Sequence, residues 1–352
     1  MRPIRSLFIT NKIALFIPAV IFLQIFLSLF MGYRDLSIGT DTYRYAEYYQ
    51  ALNDCLTLCG EHEIGFQIFG YIFAYTEQTV ATYFFGISLF IFLMLNIVSL
   101  KFVTIFNLTF EQNRDYCLFL LLIFFIFLLS PFFVSAHINA IRQGIASFFV
   151  YLSLLFFITK NWKLFLFSAL IASSFHHTAS MYLAFSPLLL LTLNRLILIV
   201  VLLTISYLSG ISEFLLHYLS DMTGLGIYEK VINYQSHVTY QRGIRWDFTL
   251  FSLFLALIPY LIYRYLVIDK FKDGLVAALK IYLLLLIPFF LLGYAAFSDR
   301  FLYTAWLYLP FLAAATLISA RYFNNWKNWA LYILMPLSPA VFVIMIMNGF
   351  AR

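Results

Sequence analysis

Arg142 stands one turn inside an apolar run that opens with "NAIRQGIASFF" at residues 139–149. A charge held near hydrocarbon costs about 2.5–3.5 kcal/mol on insertion scales, so something must offset it. Either the guanidinium snorkels to the headgroups and does nothing more, or it faces a cleft and grips an anionic group with its planar fork. "SSFHHTAS", 173–180, supplies His176 and His177. Imidazole is suited to take a proton near neutral pH, although two histidines at a helix–helix turn also serve as plain polar punctuation.

"SIGTDTYRYAEYYQ", 37–50, offers Asp41 with Arg44, Tyr45 and Tyr48 following at one-turn spacing. Asp41 either caps the helix that follows or joins a polar and aromatic face suited to sugars, whose C–H faces stack on rings while hydroxyls take hydrogen bonds. "EHEIGF", 61–66, adds Glu61, read as solvated, and Glu63, which adjoins the membrane. "FSDRFLY", 297–303, brings Asp299 and Arg300, as a local ion pair or as a cation at a cleft. "YQRGIRW", 240–246, sets Arg242 and Arg245 between Tyr240 and Trp246. Interfacial anchoring explains those aromatics, but not the two arginines. No zinc spacing, Walker loop, dinucleotide fingerprint or Asp-x-Asp pair occurs, so neither metal nor cofactor is expected.

The elements that must hold these groups are membrane helices. Of 352 residues 63% are hydrophobic and only 11% charged, against about 25% charged in soluble domains. Apolar runs of about 20 residues recur from end to end. They do not alternate as barrel strands would. The fold class is therefore all-α, a polytopic integral membrane protein. Its predicted crossings, about 11, are 13–31, 80–101, 116–134, 141–158, 163–177, 178–193, 195–212, 247–266, 275–296, 301–320 and 328–347. The first run is too long for a signal core and no small-x-small site follows it, so it reads as a transmembrane helix. Residues 64–75 are too few to span and are expected to dip into the outer leaflet. Two longer polar stretches, about 32–63 and 213–246, remain, and no linker or repeat divides residues 1–352.

Orientation follows from the basic residues. With the amino terminus cytoplasmic, every lysine except Lys230 falls on the cytoplasmic side, whereas the outer basic residues are otherwise arginines, among them Arg34, Arg44, Arg142, Arg242, Arg245 and Arg300. His62, His137, His176, His177, His217 and His237 fall on the outer side as well. The working face is thus expected to be the outer, periplasmic one. Cys55 and Cys59 share an outer loop where they can pair in an oxidising compartment, and Cys117 opens an apolar helix.

"IGTDTYRY", "EIGF", "IRQGIA", "SFHHTAS" and the arginine of "SDRFLY" come in the order seen in EpsG-type exopolysaccharide-biosynthesis membrane proteins, grouped with Wzy-type O-antigen and capsule polymerases. The chain resembles that family from about Arg34 to Tyr303, while 210–245 matches nothing in it. The resemblance implies a glycan polymerase of the bacterial inner membrane, moving a growing chain from undecaprenyl pyrophosphate onto a second lipid-linked repeat. It implies those lipid-linked oligosaccharides and membrane lipids as partners, together with a chain-length regulator and a flippase, and no nucleic acid. By position, Asp41, Glu63, Arg142, His176 and Arg300 match the motifs.

Physical roles can then be assigned. Arginines 142, 300, 245 and 242 are the donors for a pyrophosphate leaving group, so that no metal is required. His176 is the first choice as general base and Asp41 the second, with Glu63 beside them; Tyr45, Tyr48 and Trp246 are the sugar platforms. Two other classes compete. A flippase or exporter of lipid-linked sugars would place charges near the bilayer midplane. An O-antigen ligase-like transferase shares outer arginines and a histidine.

Overall fold

In hydrocarbon every backbone N–H and C=O must be satisfied within its own segment, so apolar runs of this length fold as helices. The structure, a computed structural model, describes residues 3–55, 62–108, 114–224, 228, 243–295 and 297–348. Among these the regular structure is helical, apart from one isolated antiparallel bridge between Val267 and Ala320.

The helices run α1 Pro3–Gly32, α2 Thr42–Cys55, α3 Ile64–Tyr75, α4 Val80–Thr104, α5 Arg114–Leu128, α6 Pro131–Ile138, α7 Ile141–Ile158 and α8 Trp162–Phe175. There follow α9 Thr178–Ala184, α10 Leu193–Leu208, α11 Ile211–Thr223, α12 Trp246–Tyr265, α13 Lys272–Leu292, α14 Asp299–Ser319 and α15 Lys327–Met347.

By length and composition, 6 of the described helical segments can cross a membrane, or up to 8 if each of two bent pairs is one span. The expected count of about 11 also includes apolar runs whose helices fall below that length. Two of the runs it counts are short as helices: α8 has 14 residues, and α9 has 7 before the 3-10 helix Ser186–Leu190.

Two expected crossings are also broken. The run 116–134 bends by 68° between α5 and α6. There Ser130 caps α6 and Pro131, lacking an N–H, can start a helix but not continue one. The run 195–212 turns by 82° between α10 and α11 at Gly210, whose φ of +79° suits glycine. The stretch 213–246 therefore opens as helix and not as loop. On α11 the residues Ile211, Phe214, Leu215, Tyr218, Leu219 and Met222 form an exposed apolar stripe, while Ser212 and Ser220 are buried. That pattern is the one an interfacial helix presents to lipid.

The core lies between α7, α13 and α14, each 72% buried over its apolar window, against 22% for α12 and α15. Polar bonds lock these helices together. The Tyr151 hydroxyl donates to the Thr304 carbonyl at 2.6 Å, and the hydroxyls of Ser147 and Thr304 meet at 2.9 Å, joining α7 to α14. Trp306 Nε1 donates to Ser252 Oγ at 2.9 Å, joining α14 to α12. On the opposite flank Gln24 and Asn96 exchange amide bonds of 3.0 and 2.9 Å between α1 and α4.

Candidate active site

The first turn of α7 carries Arg142, and the residue before α3 is Glu63. The Glu63 carboxylate accepts a hydrogen bond from Nη1 of Arg142, forming an ion pair in which the carboxylate is 7% exposed and the guanidinium 25%. Arg142 is thus engaged by a side chain of the protein. Burial is the largest single influence and pushes the Glu63 carboxyl up, but the Arg142 charge and the hydrogen bonds the carboxylate accepts together hold it below its ordinary value of 4.5.

Close backbone approach makes this pairing possible. A Cβ on Gly65 would lie 2.8 Å from the Ser174 carbonyl oxygen, so only glycine lets the start of α3 rest on the end of α8. Gly39 has φ +96° and a Cβ there would lie 2.7 Å from Asn139 Oδ1, which brings the loop before α2 against the loop before α7. The same Asn139 Oδ1 accepts from the Asp41 amide at 3.4 Å. The glycines of "IGTD" and "EIGF" are thus packing devices.

Rings from α2 and α3 close over the ion pair. Tyr48 lies 4.4 Å from His62 and stacks on Phe66 at 5.7 Å, while Tyr45 meets Phe66 edge-on at 5.7 Å. The Tyr45 hydroxyl donates to the Asn139 carbonyl at 3.3 Å and faces the Arg142 guanidinium. Burial raises the phenols of Tyr45 and Tyr48, the latter to about 12. Burial, then the Arg142 charge, lowers His62 to about 4, so at neutral pH its ring is uncharged. Two polar atoms of this cluster are buried without a hydrogen-bond partner, Arg142 Nε and the Tyr48 hydroxyl. A buried unpaired donor costs about 1–3 kcal/mol.

His176 ends α8, and its Nδ1 lies 2.7 Å from Thr178 Oγ1 and 3.3 Å from the Thr178 amide that donates to it. Glu63, Arg142 and Arg300 all lie within electrostatic reach of the ring. Arg300 opens α14, whose first turn is fixed by Gln143 Nε2 donating to the Arg300 carbonyl at 2.6 Å and by the Tyr182 hydroxyl donating to the Phe301 carbonyl at 2.9 Å. Its guanidinium lies 4.6 Å from the Phe297 ring centroid. Glu63, Arg142, His176, Arg300, Tyr45 and Tyr48 thus share one end of the bundle.

Asp41 lies at the edge of this cluster, within electrostatic reach of Tyr45, and pairs loosely with Arg44 at 3.7 Å, at 37% and 82% exposure. Other expected residues sit apart. Arg245 lies over Phe248 at 3.6 Å and gives both arms of its fork to Asp247, at 2.9 and 2.6 Å. Trp246 is exposed, 55%, as an interfacial anchor would be. Arg242 lies outside the described residues. His137 is core: it is fully buried against Phe92, Phe133 and Phe342, and its Nδ1–H donates to the Phe133 carbonyl at 2.8 Å. Cys55 is disulfide-bonded and Cys117 free, while Cys59, expected as the partner of Cys55, is outside the described residues. Gln143, Asn139 and Thr178 escape the sequence reading, although each stands in or beside a motif that it singles out.

A bundle of apolar helices with cations, a carboxylate, an imidazole and rings gathered at one end defines a multi-pass membrane protein with a polar site at one face. The chain belongs to the EpsG family, whose family model matches residues 17–351. It is accordingly a membrane protein of polysaccharide biosynthesis. No curated protein and no solved structure matches it.

Proposed function

We propose that this protein is a polysaccharide polymerase, transferring a glycan from undecaprenyl pyrophosphate onto another lipid-linked repeat at the periplasmic face of the bacterial inner membrane. The observation that carries the reading is the buried, unpaired Nε–H of Arg142, within electrostatic reach of Tyr48, whose hydroxyl is likewise buried and unpaired. One is the donor a diphosphate wants, the other the partner a sugar hydroxyl wants, and the rings of Tyr45, Tyr48, His62 and Phe66 pack together beside them. The chain crosses the membrane about 11 times in this reading, counting the shorter apolar helices, with a cytoplasmic amino terminus. The disulfide at Cys55, close to Glu63 in sequence, supports an oxidising compartment on that side.

In the reaction the C1–O bond to the diphosphate breaks and a bond from C1 to the acceptor oxygen forms. Arg142 and Arg300 stabilise charge developing on the departing diphosphate. The acceptor proton passes to a base of the cluster, for which Asp41, Glu63 and His176 are the available groups. No step draws on a metal. A chain-length regulator and a flippase fit the reading as partners.

Purified protein in liposomes, given lipid-linked repeats, tests the whole scheme. A ladder of chain lengths that persists in excess EDTA is expected. Single repeats carried to the other leaflet, or glycan moved only to a lipid A core acceptor, would replace it with a flippase or a ligase. Loss on chelation with rescue by magnesium would overturn the metal-free part.

A further inference from the structure

We propose that His176 serves this site as a hydrogen-bond donor through Nε2–H, and that Thr178 is the positioning residue fixing that tautomer. The inference rests on the polymerase reading for its substrate, but its geometry stands alone. A backbone N–H can only donate, and the Thr178 amide points at His176 Nδ1 from 3.3 Å. Nδ1 must therefore offer its lone pair, which a protonated ring cannot do. The Thr178 hydroxyl, 2.7 Å from the same nitrogen, can add a second bond of the same sense. A neutral ring with a bare Nδ1 carries its proton on Nε2.

The consequence changes the chemistry assigned to the residue. A base needs a free lone pair facing its proton source. Here one nitrogen is occupied by Thr178 and the other is already protonated. Nε2–H suits the departing diphosphate instead, alongside Arg142 and Arg300, which both lie within electrostatic reach of the ring. The diphosphate leaves with the electron pair of the C1–O bond and receives hydrogen bonds from the guanidinium groups and Nε2–H. The proton of the acceptor hydroxyl goes to a carboxylate, Asp41 or Glu63. His176 needs no change of charge in the cycle.

Two readouts test this on the full-length protein in nanodiscs. Histidine-selective 15N NMR, with His176→Gln used for assignment, is expected to show Nε2 protonated and Nδ1 bare at neutral pH. Adding inorganic pyrophosphate should shift the Nε2–H resonance. Thr178→Val removes the hydroxyl but keeps the amide, so the tautomer should persist while looser positioning of the ring lowers activity severalfold, with Thr178→Ser restoring it. In turnover, glutamine places an amide N–H near the Nε2 position, whereas asparagine reaches only that of Nδ1. His176→Gln is expected to stay within about tenfold of wild type, while His176→Asn and His176→Ala lose about 10²–10³-fold, as for loss of one transition-state donor. A proton found on Nδ1, an Nε2–H resonance that ignores pyrophosphate, or a glutamine variant as inactive as alanine would overturn the proposal. Wild-type protein that makes no polymer yet shows the Nε2–H tautomer and the pyrophosphate shift would overturn the polymerase reading and leave the donor assignment standing.

Discussion

Glu63 and Arg142, 79 positions apart, form an ion pair that joins the start of α3 to the start of α7. A carboxylate thus occupies one arm of the fork proposed for the diphosphate, and a ligand must compete with it. Apparent affinity falls by the fraction of protein whose cation is free. Glu63→Gln removes the competing charge but keeps the shape. Its affinity for inorganic pyrophosphate, measured by calorimetry in detergent, should rise about tenfold, while chain elongation falls for want of a carboxylate. Unchanged affinity would mean the pair is structural only.

Arg142→Lys distinguishes a fork from a point charge. Lysine keeps the charge and loses the bidentate geometry. Both Arg142→Lys and Arg142→Ala should reach the membrane at normal levels and lose about 10²–10³-fold in rate. A lysine variant that still makes the full ladder of chains would shift the diphosphate role to Arg300.

The same pair makes stability depend on pH. The Glu63 carboxyl titrates below 4.5 in the folded protein, because the Arg142 charge and the hydrogen bonds it accepts together outweigh burial. In that window the unfolded chain binds the extra proton, so stability rises with pH. The contribution is whole above about 4.5 and is lost as pH falls through the lower, folded value. Thermal melts in detergent should therefore fall more steeply below about pH 4.5 for wild type than for Glu63→Gln. Parallel curves would assign the acid sensitivity elsewhere.

Gly65→Ala tests the packing behind the site. Its Cβ would lie 2.8 Å from a backbone oxygen of α8, which cannot swing aside as a side chain can. The start of α3 must lift, carrying Glu63 away from Arg142. Overpacking of this kind costs about 1–3 kcal/mol. Activity should fall at least tenfold with a modest loss in Tm, and wild-type turnover would show that α3 tolerates the shift.

The proposed orientation is open to single-cysteine labelling with a membrane-impermeant reagent. In intact spheroplasts, positions near Asp41 and Trp246 should react, and positions in the turn between α7 and α8 around Lys160 should not. The reverse pattern would put the site in the cytoplasm.

Hydropathy makes α4, α7, α13 and α14 legible in the sequence, since long apolar helices announce themselves by composition. The breaks carry local signals too, Ser130–Pro131 and Gly210, but an average over a window smooths them away. One-turn spacing reveals that Tyr45 and Tyr48 share a face. It cannot reveal that His62 and Phe66 complete that face, nor that Glu63 meets Arg142, because no periodicity links separate segments. Arg245 shows the reverse. Its partner, Asp247, stands two residues away, so the engagement of its fork was readable in "RWD".

The helix that carries Arg142 is also among the least able to move. Gln143, Ser147 and Tyr151 bond it to α14 at three successive turns, and most of its surface is buried. By contrast α2 and α3 turn Tyr43, Ile64, Ile68, Ile72 and Tyr75 outward. Any opening that the polymerase reading requires would thus fall to α2 and α3, since tilting α7 would break bonds along half its length. In mechanical terms α7 is the stator and the ring-bearing helices are the shutter. Lifting α3 would take Glu63 with it, so that under the proposed function a single displacement would both clear a path for the sugars and bare the cation.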